Sequence, residues 1–349
     1  MNTFRCTCGN TLYFENNQCL ACGSRLGFLP EHLSQAALED LGNGRWRARS
    51  PDGDLGVYRR CHNDIEHNVC NWMVPDEQEE IFCQACRLNR VIPNLKIAGN
   101  HAKWLNVEQQ KRRLIYDLLR LGLPFQGKQD NHDTGLAFAF MEDEQSTGEF
   151  VDTNWSGGKV FTGHANGLIT INILEADDVA REAMRQQMNE ASRTLLGHFR
   201  HEIGHYFWDR LIRDGQRLTS FRSLFGDERL DYQQALESHY QQGPPADWQN
   251  NFISAYAASH PWEDWAECWG HYLQIRDALE TAWALGLVRD RPRDFSHLIR
   301  IWNRVSASIN LMNRSLGLRD AYPYTLTDPV LDKMVYIHDL ITIEGKRES

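Results

Sequence analysis

The sequence has no apolar run near the ~20 residues that a membrane-crossing helix requires, and its opening stretch, MNTFRCTCGN, lacks the apolar core of a secretory leader. These absences weigh against membrane insertion or export and point to the cytoplasm, where thiols stay reduced. Positive charge is also scarce. The net charge is −10, and residues 1–95 hold nine Arg and no Lys against twelve Asp plus Glu. A surface that tracks phosphates needs the opposite balance, so nucleic acid is disfavoured as a partner and a protein-binding role is preferred for this region. Beyond Cys86 only Cys268 remains of the nine cysteines, which confines any thiol-based centre to the first quarter of the chain.

The other eight cysteines form two sets. Cys6 and Cys8 precede Cys19 and Cys22, and Cys61 and Cys70 precede Cys83 and Cys86. Each set offers four thiolates in two pairs, which suits a closed tetrahedral structural zinc with no open position for water. A disulfide framework is the competing reading, but it needs an oxidising compartment. Pairing within each set is simplest; an interleaved arrangement satisfies the same spacing. Gly9 and Gly23 each follow a cysteine, where a tight knuckle needs backbone freedom. Leu33–Leu41 reads as a short helix.

At 349 residues and 42% hydrophobic content, the chain can form two or three domains, each with its own core. The expected fold is α+β. A zinc-ribbon domain with two four-cysteine sites occupies 1–95, and a mainly helical domain with a small sheet occupies 100–349, after a linker at Pro93–Asn100. His101–Leu121 reads as a helix stopped by Gly122 and Pro124, and Leu136–Met141 as a short strand. Gly167–Leu174 alternates Ile169, Ile171 and Ile173 with Leu168, Thr170 and Asn172, which predicts another strand. That strand could be an edge able to hold an extended peptide, or an interior one.

The stretch LLGHFRHEIGHYFWDRL (195–211) sets His201 and His205 one helical turn apart, opposite a stripe of Leu195, Phe199, Ile203 and Phe207. Two such imidazoles can grip one zinc ion while Glu202 handles protons, the HExxH arrangement of zinc hydrolases. Ser192 or Thr194 could cap this helix. By itself the five-residue pattern also occurs in ordinary surface helices, so a third ligand decides. Trp208 and Leu211 stand where a third-histidine motif would need Gly and His. HPWEDWAECWGHYL (260–273) supplies the alternative. With Trp262, Ala266, Trp269 and Leu273 as its packing stripe, Glu263 and Glu267 fall together on another face. Burying two carboxylates there requires a positive partner. Glu263 is assigned as the third zinc ligand and Glu267 as an acceptor orienting a ligand imidazole; the reverse remains open. His198, His260, His271 and Cys268 read as wall, cap or packing residues.

These segments, together with LYFENNQCLACGSRLGF and VCNWMVP, resemble the bacterial family that joins a zinc ribbon to a zinc-binding metallopeptidase domain, over nearly the whole chain. The catalytic half is more remotely similar to gluzincins of the anthrax lethal-factor type, in which a Glu opening a Glu-x-x-x-Glu segment completes the site. The gap between His205 and Glu263 is longer here. The resemblance implies a zinc-dependent peptidase in which Glu202 activates a zinc-bound water to cleave peptide bonds, one catalytic and two structural zinc ions, and a peptide or protein substrate. It also implies that Tyr256, seven residues before Glu263, stabilises the transition state. The alternative is a non-catalytic zinc-ribbon adaptor whose HExxH segment is a scaffold.

Overall fold

A computed structural model describes residues 2–143, 160–187 and 194–345. The chain divides into two compact units, Met1–Ala180 and Arg181–Ser349. Its architecture is mixed α+β, with a β-rich, cysteine-bearing N-terminal region followed by a mainly helical one. No helix among the described residues is long and apolar enough to cross a membrane.

The first unit starts with a small antiparallel pair, β1 (Phe4–Arg5) and β2 (Thr11–Leu12). A five-stranded antiparallel sheet follows in sequential order: β3 (Arg25–Leu29), β4 (Ser34–Gly42), β5 (Arg45–Ser50), β6 (Gly53–Arg60) and β7 (Met73–Pro75), with α1 (His62–His67) before the last strand. The helix expected at Leu33–Leu41 is therefore strand β4. Leu33, in a left-handed conformation at φ 47°, reverses the chain after Pro30–His32, so that Ser34 pairs with Leu29 and Ala37 with Leu26. Ladder hydrogen bonds on both sides and burial of Ala36 and Leu38 override the local helical tendency of the sequence.

Phe4, Phe14, Phe28 and Trp72 pack as an aromatic core, with Phe28 and Trp72 centroids 4.8 Å apart. Helix α2 (Asn100–Arg120) inserts Tyr116 into this core, 5.2 Å from Phe14 and 5.8 Å from Phe28. Helix α2 thus packs on the aromatic core of the β-rich region within the first compact unit. The rest of the unit is a four-stranded sheet of order β10-β11-β9-β8, formed by β8 (Asn89–Val91), β9 (Ala137–Met141), β10 (Gly163–Ala165) and β11 (Leu168–Asn172). Ile169, Ile171 and Ile173 are fully buried, in line with their alternation. However, β11 is an interior strand, parallel to β9 and antiparallel to β10. Both its hydrogen-bonding edges are occupied, so the reading of it as a peptide-holding edge is corrected to the interior one.

Helix α3 (Asp178–Gln187) leads into the second unit, which contains α4 (Leu195–Phe207), α5 (Leu218–Phe225), α6 (Tyr232–Gln242), α7 (Pro261–Ala284), α8 (Phe295–Ser315) and α9 (Asp328–Glu344). Thr194 caps α4 by accepting the Gly197 N–H at 3.0 Å; Ser192 lies outside the described residues. The helix then continues as a π-helical turn, Trp208–Arg213. Pro261 starts α7, with His260 capping it through Nδ1, which accepts the Trp262 N–H at 3.1 Å. Helices α4 and α7 cross closely at Gly204. A Cβ there would lie 3.1 Å from Ala266 Cα and 3.2 Å from Trp269 Cβ, and Trp265 Nε1 donates to the Gly204 carbonyl at 2.8 Å. Trp265 joins Ala266 and Trp269 in full burial, whereas Trp262, expected on that stripe, is half-buried and lies over His205.

Helix α9 contributes a buried cation. Lys333 Nζ lies 2.6 Å from Asp264 Oδ2 and donates to the Asn251 carbonyl at 2.8 Å, and both side chains of the ion pair are nearly inaccessible. Burial pushes the Asp264 carboxyl up to about 6 against the pull of Lys333, so Asp264 is ionised at neutral pH. Because Asp264 titrates higher folded than unfolded, its contribution to stability falls as pH rises through the 4–6 window. Removing its cation extends that fall to higher pH. Lys333→Met is expected to cost about 3–5 kcal/mol at neutral pH. Its melting-temperature deficit against wild type should shrink at pH 5, where Asp264 takes up a proton; thermal unfolding at the two pH values measures it.

Candidate metal centre

Each four-cysteine set closes on itself. Cys6, Cys8, Cys19 and Cys22 form one cluster, and Cys61, Cys70, Cys83 and Cys86 another. In the first, Cys6 and Cys22 Sγ are 3.7 Å apart, as are Cys8 and Cys19. In the second, Cys70 lies 3.7 Å from Cys83 and 3.6 Å from Cys86. Four thiolates around zinc at ~2.3 Å sit about 3.7–3.8 Å from one another, whereas a disulfide would need ~2.05 Å, so both donor sets fit the metal. Gly9 (φ 88°) and Gly23 (φ 75°) turn the first cluster's two knuckles and donate to the carbonyls of Cys6 and Cys19.

The two clusters have different surroundings. Cys8 and Cys22 are exposed, but all four thiols of the second cluster are buried. Backbone N–H groups of Trp72, Cys83 and Cys86 point at its sulfurs at 3.4 Å. Helix α2 brings Glu108, Lys111 and Arg112 beside it, all buried, with Lys111 2.9 Å from Glu108 and Arg112 bonding the Val69 carbonyl at 2.6 Å. A zinc bound by four thiolates carries net negative charge, which the buried Arg112 nearby offsets, while Lys111 pairs with Glu108. Nothing in the α2 sequence signals this role, because Lys111 and Arg112 read as ordinary surface residues.

In the second unit, His201 and His205 of α4 meet Glu263 of α7. His201 Nε2 is 3.0 Å from Glu263 Oε2 and 3.2 Å from His205 Nε2, and His205 Nε2 is 3.4 Å from Glu263 Oε1. His201 Nδ1 donates to Glu267 Oε1 at 2.8 Å, and Glu267 Oε2 accepts the Ser254 hydroxyl at 2.6 Å. With its proton on Nδ1, a neutral His201 presents a bare lone pair at Nε2. It faces a carboxylate and a second imidazole, and either a proton on Nε2 or a metal ion among the three atoms offsets the repulsion of their lone pairs. Ligands bound at ~2.0–2.1 Å in tetrahedral geometry lie about 3.3–3.4 Å apart, close to the separations here. The donor set therefore fits zinc.

The electrostatics follow from burial and pairing. Burial works against the His201 imidazolium, but hydrogen bonds to Glu263 and Glu267 outweigh it and hold the ring well above the usual histidine range. Burial also opposes ionisation of Glu267, yet the His201 contact holds it at about 2. Glu263, 1% exposed, is likewise held low by the two histidines against its burial. Glu202, on α4 and 7% exposed, goes the other way, pushed up by burial.

Tyr256 stands on a short 3-10 turn, Tyr256–Ala258, and its ring lies 5.9 Å from that of His201. Burial raises its phenol well above the ordinary value, so it stays protonated. Trp262 covers His205 at 4.3 Å. His260 caps α7, buried His271 packs at 4.3 Å on Tyr324, and the Cys268 thiol donates to Asp264. His198 is not part of the metal-ligating cluster. Three residues that the sequence reading passed over also reach the site's network. Tyr232 donates to Glu263 Oε1 at 2.8 Å, Ser254 bonds Glu267, and Lys333 pairs with Asp264 beside Glu263. A phenol, a hydroxyl and an amine in three separate segments carry no shared spacing to find them by.

Comparison with known proteins agrees with this donor chemistry. Residues 3–97 match a zinc-ribbon domain, and residues 100–340 match the family described as "Putative zinc-binding metallo-peptidase". Uncharacterized proteins of Mycobacterium bovis and of two strains of Mycobacterium tuberculosis are each 42% identical to this chain, over 98% of it and 95% of their own length. No solved structure matches. The chain belongs to this zinc-binding metallopeptidase family, with a zinc-ribbon domain at its N-terminal end.

Proposed function

We propose that the chain is a zinc-dependent peptidase with one catalytic ion held by His201, His205 and Glu263, and two structural ions held by the four-cysteine clusters. The observation that carries this reading is the convergence of two imidazole nitrogens and a carboxylate within 3.0–3.4 Å, beside a buried carboxylate that belongs to no such cluster. Three protein ligands leave a fourth position free for chemistry, unlike the closed cysteine sites. In this division of labour, residues 1–95 form the ribbon, which serves protein contact, and 100–349 carry the hydrolytic site. Eight unbridged cysteines in metal-binding groups fit a reducing, cytoplasmic compartment.

When bound, zinc supplies a Lewis acid that polarises the scissile carbonyl and lowers the pKa of water toward ~7. Glu202 receives the proton of the attacking water and delivers it to the leaving nitrogen; its upward shift brings it nearer the operating pH, as a proton shuttle requires. Tyr256, kept protonated, donates to the oxygen that gains charge on the carbonyl carbon. Glu267 holds His201 by Nδ1, so that Nε2 keeps its lone pair for the metal.

Cleavage of a degenerate peptide library, read by mass spectrometry, tests the activity. Glu202→Gln should lower cleavage about 10²–10⁴-fold with zinc content unchanged; full activity would remove Glu202 from the mechanism. Glu263→Ala should weaken zinc binding more than Glu267→Ala, for which about 10–100-fold is expected. Competition with a chromophoric chelator ranks the two, and a reversed order would exchange their roles.

A further inference from the structure

Tyr232 opens α6, a helix with no fully buried residue. Its ring is nevertheless bracketed by His260 at 5.2 Å and Trp262 at 5.8 Å, both at the start of α7. Its hydroxyl donates to Glu263 Oε1 at 2.8 Å, while the other carboxylate oxygen, Oε2, faces His201 Nε2 at 3.0 Å. The two oxygens of Glu263 are thus in different environments. One, Oε1, is tied to a neutral phenol and lies 3.4 Å from His205 Nε2, and the other, Oε2, is the oxygen turned to His201. A carboxylate free to rotate can meet a cation through either oxygen or both. A hydrogen bond to one of them selects the other and removes that freedom before the metal arrives.

We propose that Tyr232 is a positioning residue for the metal centre: it holds Glu263 Oε1 so that Oε2 is the oxygen offered to the ion. The inference rests on the reading of His201, His205 and Glu263 as a zinc site, and adds to it a residue supplied by an otherwise exposed helix. Since α6 has no core of its own, its first residue couples the pose of that helix to the quality of the metal site.

The test uses the full-length protein and Tyr232→Phe, which keeps the ring and removes only the hydroxyl. Zinc affinity is measured by chelator competition and the coordination sphere by visible absorption of the cobalt(II)-loaded protein. Each is read as the difference from His201→Ala/His205→Ala protein, which subtracts the cysteine sites. The expected result is a fall of about 10–100-fold in affinity at this site and a shift of its cobalt absorption, with the circular dichroism spectrum unchanged. In a Glu263→Ala background, Tyr232→Phe should add nothing, because the carboxylate it holds is gone.

Unchanged affinity and cobalt spectrum would overturn the proposal. So would an equal loss in the Glu263→Ala background, which would indicate general packing. An intense phenolate-to-cobalt band in wild type, lost in Tyr232→Phe, would make Tyr232 a direct ligand and overturn the positioning role. If wild type binds no metal beyond the cysteine sites, the zinc reading itself fails and takes this inference with it.

Discussion

Two imidazole nitrogens and a carboxylate are brought together at the crossing of α4 and α7, and a proton or a metal ion among them offsets the repulsion of their lone pairs. His201 Nε2, His205 Nε2 and Glu263 point inward, and the Nδ1 proton of His201 is already committed to Glu267. In a low-dielectric interior such a gathering is costly without a positive charge at its centre. Much of the surrounding structure holds these groups in place. Gly204 lets the two helices approach within a side-chain radius, and the Trp265 indole bonds the carbonyl that the helix exposes there. Ser254, Tyr232 and Lys333 each tie down one of the carboxylates on α7.

A similar electrostatic problem is solved differently around the cysteines. The second cluster is sealed from solvent and has Lys111 and Arg112 of α2 beside it, whereas the first keeps two thiols at the surface and depends on short glycine knuckles. Small β units bury too little apolar surface to fold on it alone, which is why metal binding and folding go together in such regions. The aromatic core that includes Tyr116 extends the second solution, since the helix that carries the compensating charge also supplies part of the hydrophobic packing.

The elements that were legible in the sequence are those set by short-range periodicity. The α4 stripe, the start of α7 at Pro261, the α2 helix and the alternating isoleucines of β11 all follow from local spacing. The convergence of Glu263 with the two histidines was accessible because two carboxylates on a tryptophan-rich helix demanded a positive partner. Strand β4 was not legible: Ser-Gln-Ala-Ala-Leu-Glu has helical propensity, and only pairing with β3 and β5 makes it a strand. Local alternation likewise could not tell whether β11 was edge or interior: β10 reaches it through the tight Asn166-Gly167 turn, but the partner on its other side, β9, lies some way back in the sequence at Ala137–Met141. Tyr232, Ser254 and Lys333 were missed for the same reason: their roles exist only once α6, the 251–256 segment and α9 are folded onto α7.

The most direct measurement is bound zinc per chain in the purified wild type and in the His201→Ala/His205→Ala double variant. About three ions falling to about two is the result expected from two closed cysteine sites and one histidine–glutamate site. About two ions in both proteins, with added zinc failing to raise the wild-type count, would contradict the account and leave the helix crossing as a scaffold without a metal.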